Sequence, residues 1–275
     1  MEQNREEITD YVRIEIICHW NLLKFYLKEV REMNEKRINA IKGFTDIILV
    51  AALVLLSNCK FIEGKEFLKI IIIDNSLSTA DLRKYYINDF EKILASLEPG
   101  DRIIIYPVNS QPLNRPELEL KIPAVRGENQ LKRTISEVDI KTKKIPAIRD
   151  ELMRRMKEII NMKNLSQKTD LLFALYNVAG FIKSGEKTEI YIISDMVNDS
   201  EYANFNHLDL DSTNIAKLIN KIKKDSFLPD FKGASVYVTG VYNSNGLKFI
   251  QIKNFWYEYF RQASAKLKTY SVSIN

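Results

Sequence analysis

Ile71-Ile72-Ile73-Asp74-Asn75-Ser76-Leu77-Ser78 is the stretch whose reading decides the fold. An unbroken run of β-branched residues marks a strand buried on both faces, as in the middle of a parallel sheet. It ends in a D-x-S-x-S loop, which delivers one carboxylate and two hydroxyls to a single point. Those are hard oxygen donors, the kind Mg²⁺, Mn²⁺ or Ca²⁺ prefer. Two later stretches supply matching groups: Thr169 in Lys168-Thr169-Asp170-Leu171, and Asp195 in Ile192-Ile193-Ser194-Asp195-Met196.

Outward from this strand, buried strands alternate with amphipathic helices. Strands are expected at Lys69–Asp74, Asp101–Tyr106, Glu189–Ile193 and Ala234–Val241. Helices are expected at Thr79–Leu97, Ala147–Met162, Leu171–Lys183, Thr213–Lys224 and Phe249–Leu267. Residues 107–146 form a polar, proline-bearing insertion in which Leu118–Ile122 alternates like an edge strand. The alternation implies an α/β fold: a Rossmann-like, doubly wound, mainly parallel sheet with helices on both faces. Right-handed crossovers bring strand carboxyl ends to one edge, where such folds bind ligands. Asp74 and Asp195 both end strands, and Thr169 precedes a helix, so all three are expected on one rim. The domain is expected over residues 69–267, with a tail at 268–275.

Composition narrows the function. The chain has 275 residues, 41 Lys+Arg against 36 Asp+Glu, and a formal net charge of +5. The lysines are scattered, so nucleic acid is not indicated. Two cysteines, Cys18 and Cys59, stand in unrelated contexts and imply no disulfide framework. With only His19 and His207, zinc chemistry and histidine catalysis have little to work with.

The first 59 residues differ from the rest. Residues 1–42 are helix-like and charged. Ile47–Leu56 is then an apolar run, too short for an ordinary spanning helix, which needs about 20 residues. Lys36, Arg37 and Lys42 precede it, and Leu56-Ser57-Asn58-Cys59 follows. Residues 33–59 therefore resemble a bacterial lipoprotein signal, with Met33 as start and Cys59 as the lipidated residue. Residues 60–68 would be a tether. The alternative is a membrane-lying or buried helix with Cys59 as a plain core thiol.

The segment from about Lys69 to Leu267 resembles a von Willebrand factor type A domain with a metal-ion-dependent adhesion site. In that family D-x-S-x-S follows the first strand, a threonine comes from a later loop, and an aspartate follows the fourth main strand. Asp74, Ser76, Ser78, Thr169 and Asp195 match in that order. Where the family usually has Gly, this chain has Met196 and Lys168. The resemblance implies that Ser76 and Ser78 bind the ion directly. Thr169 binds it directly or through water, and Asp74 and Asp195 act mainly through water. An ion with so few charged ligands seeks a carboxylate from a protein partner. On this view the chain is a binding module rather than an enzyme, held at a membrane by its signal-like segment.

Two other functions compete. A cytosolic accessory protein of an ATPase or ribonucleoprotein assembly would use the same domain with residues 1–60 intact. A haloacid-dehalogenase-type phosphotransferase would use Asp74 as nucleophile. That chemistry needs a second Asp two residues on, where this chain has Ser76. The capping alternative also applies: Asp74 and Ser76 start a helix, and Asp195 and Ser194 close a turn.

Overall fold

The computed structural model describes residues 66–108, 115–161, 168–241 and 246–273. The signal-like segment 33–59, Cys18 and Cys59 lie outside the described residues. Among the described residues, no helix is long and apolar enough to cross a membrane.

The sheet has six strands. In chain order they are β1 (Phe67–Asp74), β2 (Arg102–Val108), β3 (Leu118–Lys121), β4 (Lys187–Ile193), β5 (Ser235–Thr239) and β6 (Lys266–Tyr270). Their spatial order is β3-β2-β1-β4-β5-β6. Every neighbouring pair is parallel except β2 and β3. The helices are α1 (Arg83–Ala95), α2 (Gln130–Asp139), α3 (Ile145–Ile160), α4 (Leu171–Ala179), α5 (Ser212–Lys224) and α6 (Gly246–Gln262). The fold is α/β, mainly parallel and Rossmann-like, as the sequence pattern implies.

The isoleucine run explains the two layers. Successive side chains of β1 point to opposite faces. Ile70 and Ile72 join a core built with Leu172, Leu175 and Val178 of α4, Ile219 of α5 and Trp256 of α6. Ile71 and Ile73 join a second core with Tyr86, Phe90 and Ile93 of α1 and with Leu152 and Met156 of α3. All four isoleucines are fully buried. Each such side chain contributes roughly 1.5–3 kcal/mol, so β1 anchors helices on both sides at once.

Several boundaries differ from the sequence expectation. Phe67 and Leu68 belong to β1, not to a tether. The first helix opens with a 3₁₀ segment, Leu77–Leu82, before α1. The insertion 107–146 contains β3 as expected and also the helix α2, which was not expected. Asn129 caps α2 by accepting from the Lys132 amide at 2.9 Å. No residue of α2 is buried, and its apolar stripe, Leu131, Ile135 and Val138, lies inside a polar, proline-bearing stretch that reads as a connection. A π-helical segment, Ile140–Lys144, joins α2 to α3. The closing helix stops at Gln262 rather than Leu267, and the edge strand β6 takes up the last expected helical residues and the start of the expected tail. Ser264, at φ 56°, reverses the chain there. A serine in the left-handed region gives no glycine signal to read.

At the amino-terminal edge of the sheet, Lys69 is 4% exposed. Its Nζ lies 2.8 Å from Glu189 Oε2, 3.1 Å from Ser96 Oγ and 4.0 Å from Asp101 Oδ2. Asp101 accepts in turn from the Phe67 and Glu98 amides, both at 3.0 Å. In this buried cluster one ammonium serves two carboxylates, and two backbone amides hold Asp101 as well. Lys69→Met leaves Glu189 and Asp101 uncompensated and is expected to cost about 3 kcal/mol. The urea midpoint falls accordingly, and adding Glu189→Leu to the variant recovers part of the loss.

Candidate metal centre

Asp74 closes β1 and is buried. The chain then turns sharply, because Asp74 Oδ1 accepts from the Ser76 amide at 2.9 Å, a side-chain-to-backbone bond that mimics a turn. The Asn75 amide donates to the Val108 carbonyl at the end of β2. The Thr79 hydroxyl lies 3.2 Å from the Asp74 carbonyl and 3.0 Å from that of Ser76. These bonds fix the loop so that the Ser76 and Ser78 hydroxyls converge, 2.9 Å apart. Ser76 is buried and Ser78 is exposed, so the pair opens to solvent on one side.

The second half comes from β4, the neighbour of β1. Ser194 Oγ donates to Asp74 Oδ2 at 2.7 Å and accepts from the Met196 amide at 2.9 Å. Asp195 follows; its Oδ1 accepts from the Val197 amide at 2.9 Å, and its carboxylate is also bonded by the Ser78 hydroxyl. Met196 has φ 64°, the conformation for which glycine is favoured. Its side chain is fully buried, and its carbonyl accepts from Trp256 Nε1 at 2.9 Å. Packing and that bond offset a backbone cost of about 1–2 kcal/mol, so the loop keeps its turn without Gly. Lys168 has no positive φ, so no glycine is needed there.

Thr169 is buried just before α4. It exchanges backbone bonds with Asp199, at 3.0 and 2.8 Å. Asn198 Oδ1 accepts from the Leu172 amide at 3.1 Å. Thr169 is thus tied to the loop that carries Asp195. Among the described residues, no hydrogen bond joins its hydroxyl to Asp74, Ser76 or Ser78. The structure therefore brings Asp74, Ser76, Ser78 and Asp195 together and sets Thr169 on the same rim.

Several residues at the site escaped sequence reasoning. Ser194 links the two carboxylate-bearing strands. Arg83 donates to the carbonyls of Ser76 (3.3 Å) and Ile160 (2.7 Å), clamping the loop to the end of α3. Tyr86 is buried near both aspartates, with no hydrogen-bond partner of standard geometry for its hydroxyl. Gly240, at φ 82°, leaves it room: a Cβ there would lie 2.4 Å from the Tyr86 ring. A serine before the aspartate and a glycine after β5 were the available signals, but neither is distinctive alone.

Burial raises the pKa of Asp74, against the bonds from Ser194 and Ser76 and the charge of Arg83. Burial and the Asp74 charge together push Asp195 from 3.8 up to about 7. Burial and the same two carboxylates hold the Tyr86 phenol well above 10. The donor set fits a hard divalent cation: two carboxylates that repel each other, two converging hydroxyls, no nitrogen or sulfur ligand. Among the described residues no group of three His, Cys, Asp or Glu gathers anywhere, so any such site relies on hydroxyls. A carboxyl raised in the folded state binds its proton more tightly there than in the unfolded chain. Its contribution is present below pH 4 and is lost as pH rises through about 7. In chelator, the melting temperature is expected to fall between about pH 4 and 7, and Asp195→Asn should flatten that fall.

No family model matches the chain, and no curated protein matches it. Among solved structures it is similar to the ArnB paralog VWA2 from Sulfolobus acidocaldarius, with 12% identity over 77% of this chain and 42% of that one, TM-score 0.40. It is also similar to the pilus adhesin SpaC from Lactobacillus rhamnosus GG, with 12% identity over 74% and 28%, TM-score 0.38. A von Willebrand factor type A protein from Catenulispora acidiphila gives 11% identity over 73% and 42%, TM-score 0.33. The chain spans less than half the length of each. Likenesses of that degree carry no functional argument. Strand order and motif placement carry the fold: D-x-S-x-S ends β1, the threonine precedes α4, and the aspartate follows β4. The described unit thus has the α/β, mainly parallel sheet that the resemblance to von Willebrand factor type A domains implies.

Proposed function

We propose that this domain is a metal-dependent protein-binding module, not an enzyme. One observation carries the proposal. Two buried carboxylates meet two converging hydroxyls at the carboxyl ends of β1 and β4, and the exposed Ser78 opens that cluster to solvent. In the strand order, β1 sends its chain to β2 on one side and meets β4 on the other. That is the switch point at which open α/β sheets bind ligands.

Mg²⁺ or Mn²⁺ would be held by the Ser76 and Ser78 hydroxyls, with Thr169 on the rim and with Asp74 and Asp195 acting through water. The ion would supply an open coordination position for an anionic oxygen, best met by a carboxylate of a protein partner. The protein's own residues do the rest. Ser194 orients Asp74, the Val197 amide orients Asp195, and Arg83 clamps the Ser76 carbonyl. The signal-like segment 33–59, through Cys59 or the apolar run itself, would hold the module at a membrane.

Calorimetric titration of the full chain with Mg²⁺ and with Mn²⁺ tests the metal. Saturable binding is expected in the wild type, with loss in Asp74→Ala and in the Ser76→Ala/Ser78→Ala double variant. The double variant should keep its urea midpoint within about 1 kcal/mol of stability, since rim hydroxyls support no core. No binding in the wild type, with or without a glutamate-bearing peptide, overturns the proposal.

A further inference from the structure

Helix α2 is the anomaly of this fold. None of its residues is buried. Leu131, Ile135 and Val138, spaced four and three apart, form one apolar stripe that is 69%, 60% and 38% exposed. Residues at those spacings share one face of a helix. A cap at Asn129 and the π-helical joint to α3 hold α2 in place. The stripe is therefore presented to solvent by a defined helix.

Its surroundings are basic. Between residues 126 and 144 six cations (Arg126, Lys132, Arg133, Lys141, Lys143, Lys144) outnumber three acids (Glu128, Glu137, Asp139), which pair with Lys132, Lys141 and Lys143 and leave a net excess of positive charge. A short helix with an apolar stripe and a cationic border is the form that lies in an anionic lipid surface.

Its position in the fold points the same way. Lys141, just past α2, pairs with Glu98 at 3.3 Å. The Glu98 amide and the Phe67 amide both donate to Asp101. Phe67 is the first residue of β1, so α2 leads directly to the edge at which the chain enters the sheet. Asp74, at the other end of β1, marks the opposite edge. Phe67 follows Cys59 by eight residues, a reach of at most about 29 Å.

We propose that α2 lies in an anionic membrane surface, with Leu131, Ile135 and Val138 among the acyl chains and the neighbouring lysines at the headgroups. This sets the amino-terminal edge of the sheet against the lipid and turns the Asp74–Asp195 rim toward the aqueous side, where a partner can reach it. The inference rests on the membrane-held module proposed above and goes beyond it by naming the surface that meets the lipid.

Hydrogen–deuterium exchange of the full chain, reconstituted in phosphatidylcholine vesicles with and without phosphatidylglycerol, tests it alongside flotation of the same samples. In vesicles containing phosphatidylglycerol, a severalfold slowing of exchange is expected across residues 126–140, with none across the exposed face of α6. Leu131→Gln/Ile135→Gln alters only exposed side chains. It should still float with the vesicles and should lose the slowing. Flotation of the wild type without slowing in α2 overturns the inference and leaves membrane anchoring standing. Failure to float overturns both. Slowing that depends on protein concentration and appears without lipid assigns the stripe to a second copy of the chain and likewise overturns the inference.

Discussion

Burial of β1 on both faces is the constraint on which the rest of the structure depends. A strand of isoleucines can shed water from both sides only if helices cover both sides, and parallel neighbours require those helices as crossovers anyway. The chain meets both needs at once. Ile70 and Ile72 seat α4, α5 and α6, while Ile71 and Ile73 seat α1 and α3. With β1 central and the strand order turning at it, its carboxyl end faces a crevice, and Asp74 stands there.

Charge is handled differently at the two edges of the sheet. At the amino-terminal edge, Lys69 is matched by Glu189 and approached by Asp101, and the cluster is closed. At the carboxyl edge, Asp74 and Asp195 raise each other's electrostatic cost, and the Arg83 charge acts on Asp74. Burial and mutual repulsion favour a proton on one of them. A closed cluster serves stability, whereas two mutually repelling carboxylates beside the buried Ser76 and the exposed Ser78 hydroxyls favour a cation from outside. That contrast separates a structural ion network from a binding site within a single domain.

Loops at the rim are held by packing where sequence patterns suggest weakness. Met196 occupies a left-handed conformation because its side chain fills the core and its carbonyl engages Trp256. Tyr86 approaches the two aspartates because Gly240 has no Cβ to obstruct it. In both cases a residue far along the chain decides what the loop can adopt.

The local sequence was enough to determine the α/β class, the buried strand β1 and the edge strand β3, and to single out Asp74, Ser76, Ser78 and Asp195 as residues of one rim. Each depends on short-range periodicity or on a motif placed at a strand end. The tertiary structure alone decided the rest. It turned Lys266–Tyr270 into β6, because a non-glycine residue ends α6 in a left-handed turn. It revealed α2, a helix inside the polar, proline-bearing insertion whose apolar stripe of Leu131, Ile135 and Val138 stays exposed. It recruited Ser194, Arg83 and Tyr86 to the aspartates, because their roles come from contacts between elements distant in sequence. Periodicity reports which face of an element is buried; only the folded chain decides what that face meets.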